Sequence, residues 1–262
     1  MTGKGDSRLR LGMALGGGAA LGWAHVGVLQ ALDAEGIRPD LLAGTSAGAI
    51  VAALYAFGLE PDEIVPRVGE LGWRRMSHLS MNSLGILTNE GLEQVVEEAI
   101  GPAQLEDADL PVAIVAADIH TGERVVLRSG SVARAVRASA CIPGIFVPVE
   151  LGEHTLVDGG VVENVPVQAV RELGLPQVTV AVALMGLTDF RPVRTLVGVL
   201  ANAFEIAIDA AQDRELEGAA VVIRPDLTEF RRWDTDARDE IIEAGRRAGR
   251  EAAPEIAELL DG

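Results

Sequence analysis

The run Gly44-Thr45-Ser46-Ala47-Gly48 sets a serine between two glycines in the order G-x-S-x-G. A serine hydroxyl is a weak nucleophile. It becomes useful when a turn exposes it, a base takes its proton, and backbone N–H groups hold the oxygen that becomes charged. The flanks supply the turn. Asp40-Leu41-Leu42-Ala43 is short and mostly apolar, and residues 49–58 read as a buried helix closed by Gly58. Strand, sharp turn with Ser46 at its apex, then helix is the context of a nucleophile elbow. Such a turn strains the serine backbone and crowds positions 44 and 48, so glycine is expected at both. The helix start directs free N–H groups and a partial positive charge at the site. A membrane reading competes, because residues 41–59 carry no charge and Gly44 and Gly48 make a G-x-x-x-G. The Gly, Thr and Ser content of the first half suits a turn better than a span, and the helical part alone is too short to cross a bilayer.

A second chemically suggestive stretch precedes the first. Residues 10–15 read as a buried strand running into Gly16-Gly17-Gly18-Ala19-Ala20-Leu21-Gly22, after which residues 23–35 are helical and Gly36 closes them. Backbone N–H groups of such a loop can cradle an anion. A dinucleotide pyrophosphate is one such anion, but the glycines are spaced G-x-G-x-x-x-G, and the stretch that should supply a ribose-binding acid runs into the Ser46 turn. The oxygen of a tetrahedral intermediate is the other. A glycine loop on one strand and a serine turn on the next can face each other across the carboxyl ends of parallel neighbours. The oxyanion-hole candidates are then Gly16, Gly17, Gly18 and Ala19.

The usual base for a serine is histidine, and the chain has His25, His78, His120 and His154. The α/β-hydrolase order places the histidine after the acid, near the end of the chain, yet none follows His154. His25 falls within the first helix and His154 beside Gly152 in a hairpin-like turn, so neither makes a convincing base. The remaining candidate is a carboxylate at a strand end. Asp158 closes Thr155-Leu156-Val157 and is followed by Gly159 and Gly160, which would let backbone and substrate approach. An aspartate of ordinary pKa is a poor base, and burial improves it. From the residues alone, a Ser46–Asp158 dyad and a plain Asp-Gly turn both fit.

The rest of the chain must position these pieces. With 262 residues and 48% hydrophobic content it can bury one sizeable core. Residues 1–9 read as a flexible tail and 10–262 as a single domain, with a core at 11–184 and a helical and strand extension at 185–262. Lys4, Arg8 and Arg10 precede an apolar run that Gly16 interrupts at once, which argues against a signal peptide. The net charge of −17 argues against nucleic acid as a partner and against strong general attraction to anionic membranes. The single cysteine, Cys141, excludes an intrachain disulfide, argues against a cysteine-based metal site and fits a reducing cytoplasm. Helices are expected from Pro61 to residue 71, over 90–99 with Asn89 as cap, over 132–140 with Ser131 as cap, and over 166–173, 192–214 and 235–260. Strands are expected at 111–119 and 123–128 as a hairpin-like pair, then at 177–184 and 219–224. Arg246, Arg247 and Arg250 read as a solvated helix face, and 73–87 as an irregular segment that could serve as a lid or touch a membrane. Alternation of strand and helix predicts a three-layer α/β/α fold with a largely parallel central sheet.

In this order and separation, residues 16–22, 44–48 and Asp158-Gly159-Gly160 resemble the patatin-like phospholipase family, in particular its small single-domain bacterial members. Ala24-His25-Val26-Gly27-Val28-Leu29, Arg137-Ala138-Ser139 before Ile142-Pro143-Gly144, and Asn164-Val165-Pro166-Val167 extend the resemblance over about 11–184. It implies a Ser46–Asp158 dyad, an oxyanion hole of glycine-loop N–H groups, and hydrolysis of lipid acyl esters without a metal or organic cofactor. The implied substrate is a phospholipid, lysophospholipid or simple ester, and the net charge of −17 restricts contact with a membrane surface to a transient, local and apolar one. The oligomeric state stays open. One position departs: the family usually carries Arg just before the last glycine of the loop, and this chain has Leu21. A catalytically impaired lipid- or protein-binding module on the same fold is the alternative that Leu21 leaves open.

Overall fold

A computed structural model describes residues 11–69, 78–79, 84–184, 195–232 and 236–262. The first elements are β1 (Leu11–Leu15), α1 (Trp23–Ala34), β2 (Leu41–Thr45), α2 (Ala47–Ala56) and α3 (Pro61–Gly69). The short β3 (His78–Leu79) and β4 (Leu87–Thr88) follow, then α4 (Glu90–Ile100), β5 (Val112–Asp118), β6 (Arg124–Leu127) and α5 (Val132–Ser139). The last are β7 (Val149–Leu151), β8 (His154–Asp158), α6 (Val167–Gly174), β9 (Val178–Val182), α7 (Leu196–Glu215), β10 (Val221–Ile223) and α8 (Arg238–Asp261).

Strand alternation decides the layers. In β1, Leu11, Met13 and Leu15 enter a large core shared with α1, α2, α4 and α8. Ala14 faces the other way, with Ala43, Ala113 and Ala181 of its neighbours, into a smaller core under Ala169 and Val170 of α6. Large residues on one face and alanines on the other let several helices cover the first face and hold α6 close on the second. The result is the three-layer arrangement expected from the sequence. Five strands, in the order β10-β9-β1-β2-β5, are parallel, and β6, β7 and β8 add antiparallel pairings beyond them.

The register along β5 brings distant parts of the chain together. Val115 has Thr45 of β2 on one side and Val126 of β6 on the other. At the next residue, Ala116, β6 still supplies Val125, but the opposite neighbour is Asp158 of β8. So β8 takes over the edge of β5 where β2 leaves it. Because β8 runs antiparallel, the carboxyl ends of β2 and β8 meet head to head, and Ser46 and Asp158 emerge at one point.

Two local expectations read differently in three dimensions. Asn89 stands before α4, but its side chain caps nothing. Its Nδ2 instead donates to the Arg137 carbonyl at 2.9 Å, tying α4 to the end of α5. Ser131 does cap α5, accepting the Arg134 N–H at 3.3 Å. On α8 the arginine face is partly a seam, since Arg246 donates to Gln30 Oε1 of α1 at 2.8 Å. No helix among the described residues is long and apolar enough to cross a membrane.

Candidate active site

Ser46 joins β2 to α2 with φ 53° and ψ −117°, a conformation that side-chain-bearing residues rarely adopt. Its neighbours explain how the turn is held. A Cβ on Gly44 would overlap the Gly48 carbonyl, and one on Gly48 would overlap the Leu15 carbonyl. The Ser46 N–H donates to Ser139 Oγ at 2.8 Å, and that hydroxyl donates to the Val115 carbonyl at 2.6 Å. Ser139 is fully buried, so this bridge fastens the turn to β5 at the residue beside Asp158's partner. Thr45 Oγ1 donates to the Glu163 carbonyl at 2.9 Å and holds the other side.

Asp158 is 2% exposed. Its Oδ1 accepts the Gly160 N–H at 2.8 Å, and the Ser46 side chain lies close enough to favour the ionised carboxyl. Burial pushes its pKa up to about 6, although the Gly160 bond, Ser46 and the charge of Arg232 all favour the ionised form. Gly159 is required where the strand ends meet, since a Cβ there would strike the Val115 carbonyl.

The glycine loop leaves β1 and bends back over Ser46 with Ala19 at φ 51°. Four of its N–H groups are engaged: at its start Gly16 donates to the Val182 carbonyl at 3.1 Å and Gly17 to that of Asn164 at 3.0 Å. Further on, Ala20 donates to the Arg232 carbonyl at 2.8 Å and Leu21 to that of Gly18 at 3.1 Å. The N–H groups of Gly18 and Ala19 have no acceptor among the described residues, and both residues line a cleft with Ser46 and Asp158. The Leu21 side chain is buried in the large core.

The histidines play other parts. His25 is fully buried, and burial lowers its pKa to about 4, so it is neutral. Its Nε2 lies 2.7 Å from the Gly16 carbonyl and therefore donates to it, pinning the loop. His154 Nδ1 lies 2.8 Å from Asp118 Oδ2 on the rim of the β7–β8 hairpin. His120 is exposed, and His78 lies where side chains are not described. Cys141 is buried, its thiol pushed up to about 12 and donating to the Val147 carbonyl. No cluster of three or more potential metal ligands occurs among the described residues.

A roof narrows the cleft. Ala201, Phe204, Glu205 and Ile208 of α7 line it together with Arg232, and the space left is about 30 Å³. Beside Ser46 itself that is room for a few water molecules. The expected lid candidate at 73–87 lies mostly outside the described residues, although Leu84 and Ile86 at its end are exposed. The sequence reading missed Ser139, Arg232 and the α7 roof. Ser139 had a faint signal in its place before Ile142-Pro143-Gly144. Arg232 had none.

Comparison with known proteins fits this geometry. The chain spans about half the length, or less, of the curated relatives it matches. An uncharacterized NTE family protein of Mycobacterium tuberculosis is 32% identical over 269 residues, which cover 92% of this chain and 46% of that protein. Lysophospholipase NTE1 of Pyricularia oryzae is 28% identical over 275 residues, covering 92% of this chain and 18% of that one. Among solved structures, VipD from Legionella pneumophila superposes with a TM-score of 0.62 at 15% identity, over 97% of this chain and 67% of its own, and so shares the fold. The patatin-like phospholipase model matches residues 13–171, which take in the glycine loop, the Ser46 turn and Asp158, and the chain belongs to the patatin-like phospholipase family.

Proposed function

We propose that the protein is a serine acyl hydrolase acting on lipid esters of the phospholipid, lysophospholipid or simple-ester type. The observation that carries this reading is the head-to-head meeting of β2 and β8, which brings Ser46 to a buried carboxyl beside two loop N–H groups that have no acceptor among the described residues. Ser46 Oγ attacks the ester carbonyl as its proton passes to Asp158. The N–H groups of Gly18 and Ala19 hold the oxyanion, each such donor contributing about 3 kcal/mol to the barrier reduction. Asp158 returns the proton to the leaving alcohol, then takes one from the water that attacks the acyl group and passes it to Ser46 Oγ as the acid is released. The reading needs no metal or organic cofactor. A lysophospholipase among the relatives supports lipid esters as the substrate class.

Leu21 leaves this machinery in place. Its side chain sits in the core, and the loop acts through main-chain donors. Exposed Leu84 and Ile86, with Val199 and Leu200 on α7, provide an apolar rim for transient contact with a lipid surface.

Ester hydrolysis by wild type, Ser46→Ala and Asp158→Asn tests the reading. Each substitution is expected to lower kcat by about 10³-fold or more, given how strongly such groups act as a unit. A fluorophosphonate probe should label Ser46 and nothing else. Equal rates in the three proteins, or labelling elsewhere, would sink the proposal. The base must be ionised, so kcat/KM should fall about tenfold per pH unit below about 6 and level off above it.

A further inference from the structure

Among the described residues, Arg232 is the one guanidinium that lines the cleft. Its backbone belongs to the core: the carbonyl accepts the N–H of Ala20, next to Leu21, at 2.8 Å. A residue from the far end of the chain therefore brings a cation to the same loop where residue 21 carries none. The Arg232 side chain is 16% exposed, and its charge reaches Asp158. On its outer side stand two acids of α7. Arg232 Nε lies 3.7 Å from Glu205 Oε1, and Nη2 lies 3.4 Å from Asp209 Oδ1. Four residues apart, these acids share the face of α7 that roofs the cleft.

Two features make this an arrangement that opens. The cleft beside Ser46 is narrow under α7, with about 30 Å³ of room, so an acyl chain is admitted more readily when α7 shifts. When it moves, Glu205 and Asp209 leave with the helix, while Arg232 stays behind on the loop. The two contacts are also long for charge-assisted bonds, which run about 2.7–2.9 Å between such groups. A planar guanidinium matches phosphate oxygens in a bidentate fork better than it matches these two separate carboxylates. The Asp158 carboxylate disfavours a second anion on the side of the catalytic pair, and the α7 acids mark the side where one fits.

Resting on the acyl-hydrolase reading above, we infer that Arg232 is the anion receptor of the site. Glu205 and Asp209 occupy it in the closed form, and the phosphate of a phospholipid or lysophospholipid replaces them when α7 lifts.

The test uses short-chain esters with one acyl group: a neutral monoacylglycerol, the matching lysophosphatidylcholine and the matching lysophosphatidic acid. In Arg232→Gln the ratio of phosphate-ester to neutral-ester kcat/KM should fall about tenfold or more, chiefly through KM, as expected for loss of a charge-assisted fork. Arg232→Lys, which keeps the charge without the fork, should fall in between and also guards against misfolding. The double variant Glu205→Gln/Asp209→Asn should shift the ratio toward both phosphate esters. Similar shifts for the two assign recognition to the phosphate itself, and a shift for lysophosphatidic acid alone assigns it to a monoester. Loss of activity on all three esters in equal proportion, or no change of ratio, overturns the inference. Calorimetric titration with sn-glycerol 3-phosphate separates it from the parent reading. Glu205→Gln/Asp209→Asn should bind at least about tenfold more tightly than wild type through loss of the two competing carboxylates, and adding Arg232→Gln should abolish that gain. This result supports the receptor even if no ester is hydrolysed, whereas absence of binding to the double variant overturns it even if esters are.

Discussion

Close backbone approach through glycine is used twice in this molecule, with opposite energetic results. Where α1 crosses α8, a Cβ on Gly27 would overlap the Ile242 carbonyl, and one on Gly245 would overlap that of Ala24. Both chains there are regular helix, and buried Ile241 and Ile256 complete the packing. At the carboxyl rim, Gly48 lies as close to Leu15, but the residues around it are not at rest. Ser46 and Ala19 hold positive φ, and Asp158 buries a carboxylate. His25 Nδ1 and Asn164 Nδ2 find no hydrogen-bond partner among the described residues. The helix seam contributes stability, and the rim draws on it to hold an unfavourable arrangement in shape.

The largest effect should come from the seam. Gly27→Ala forces two helix backbones apart and should destabilise the fold by about 3 kcal/mol or more, read as a fall in denaturation midpoint. Ester turnover per active site, counted with the fluorophosphonate probe, should be unchanged. A loss under about 0.5 kcal/mol would show that the seam adapts freely and would break the contrast.

Next comes a substitution at the rim with the opposite sign. The Asp158 pKa rises from 3.8 to about 6 on folding. Between those values the folded chain holds more protons than the unfolded one, so this group lowers stability as pH climbs through the interval and keeps it low above 6. Asp158→Asn removes the charge while keeping an acceptor for the Gly160 N–H. It should gain up to about 3 kcal/mol above that interval, lose the associated pH slope and abolish turnover. A variant that is inactive and less stable at pH 8 would deny that the rim stores this cost.

Backbone strain at Ser46 should be worth less. Ser46→Gly relieves the positive φ and should stabilise the fold by about 1–2 kcal/mol. Ser46→Ala keeps a Cβ and should gain little of this. Equal melting temperatures for the two variants would remove strain from the comparison.

How much of this was legible follows from range along the chain. The Ser46 turn is a local pattern of ten or so residues and can be read directly, as can the glycine loop and a short strand ending at Asp158. The alternation that gives a parallel sheet is local too. That Asp158 faces Ser46 depends on β8 replacing β2 along β5, a pairing across more than a hundred residues that periodicity does not encode. Ser139 acts through one hydroxyl on a helix that otherwise reads as ordinary packing. Arg232 becomes relevant only because the chain after β10 returns to the glycine loop. Asn89 shows the limit of local rules, since a good capping residue was drawn off by Arg137 in three dimensions.

The smallest effect is the one that best separates a carboxylate site from a histidine one. An activity profile with its inflection near pH 6 resembles an imidazole titration. Among the described side chains, the two histidines near the rim are otherwise occupied: His25 is neutral and donates to Gly16, and His154 pairs with Asp118. Ionising a carboxylic acid carries little enthalpy, whereas ionising an imidazolium carries a substantial one. The inflection in kcat/KM should therefore stay in place between cold and warm assays. His154→Ala should leave both the inflection and the plateau where they are, because its partner lies on the hairpin rim and not in the cleft. An inflection that moves steadily to lower pH on warming would assign the proton to a histidine. Asp158 would then be reduced to orienting a base, and the cost of its burial would no longer be a cost of catalysis.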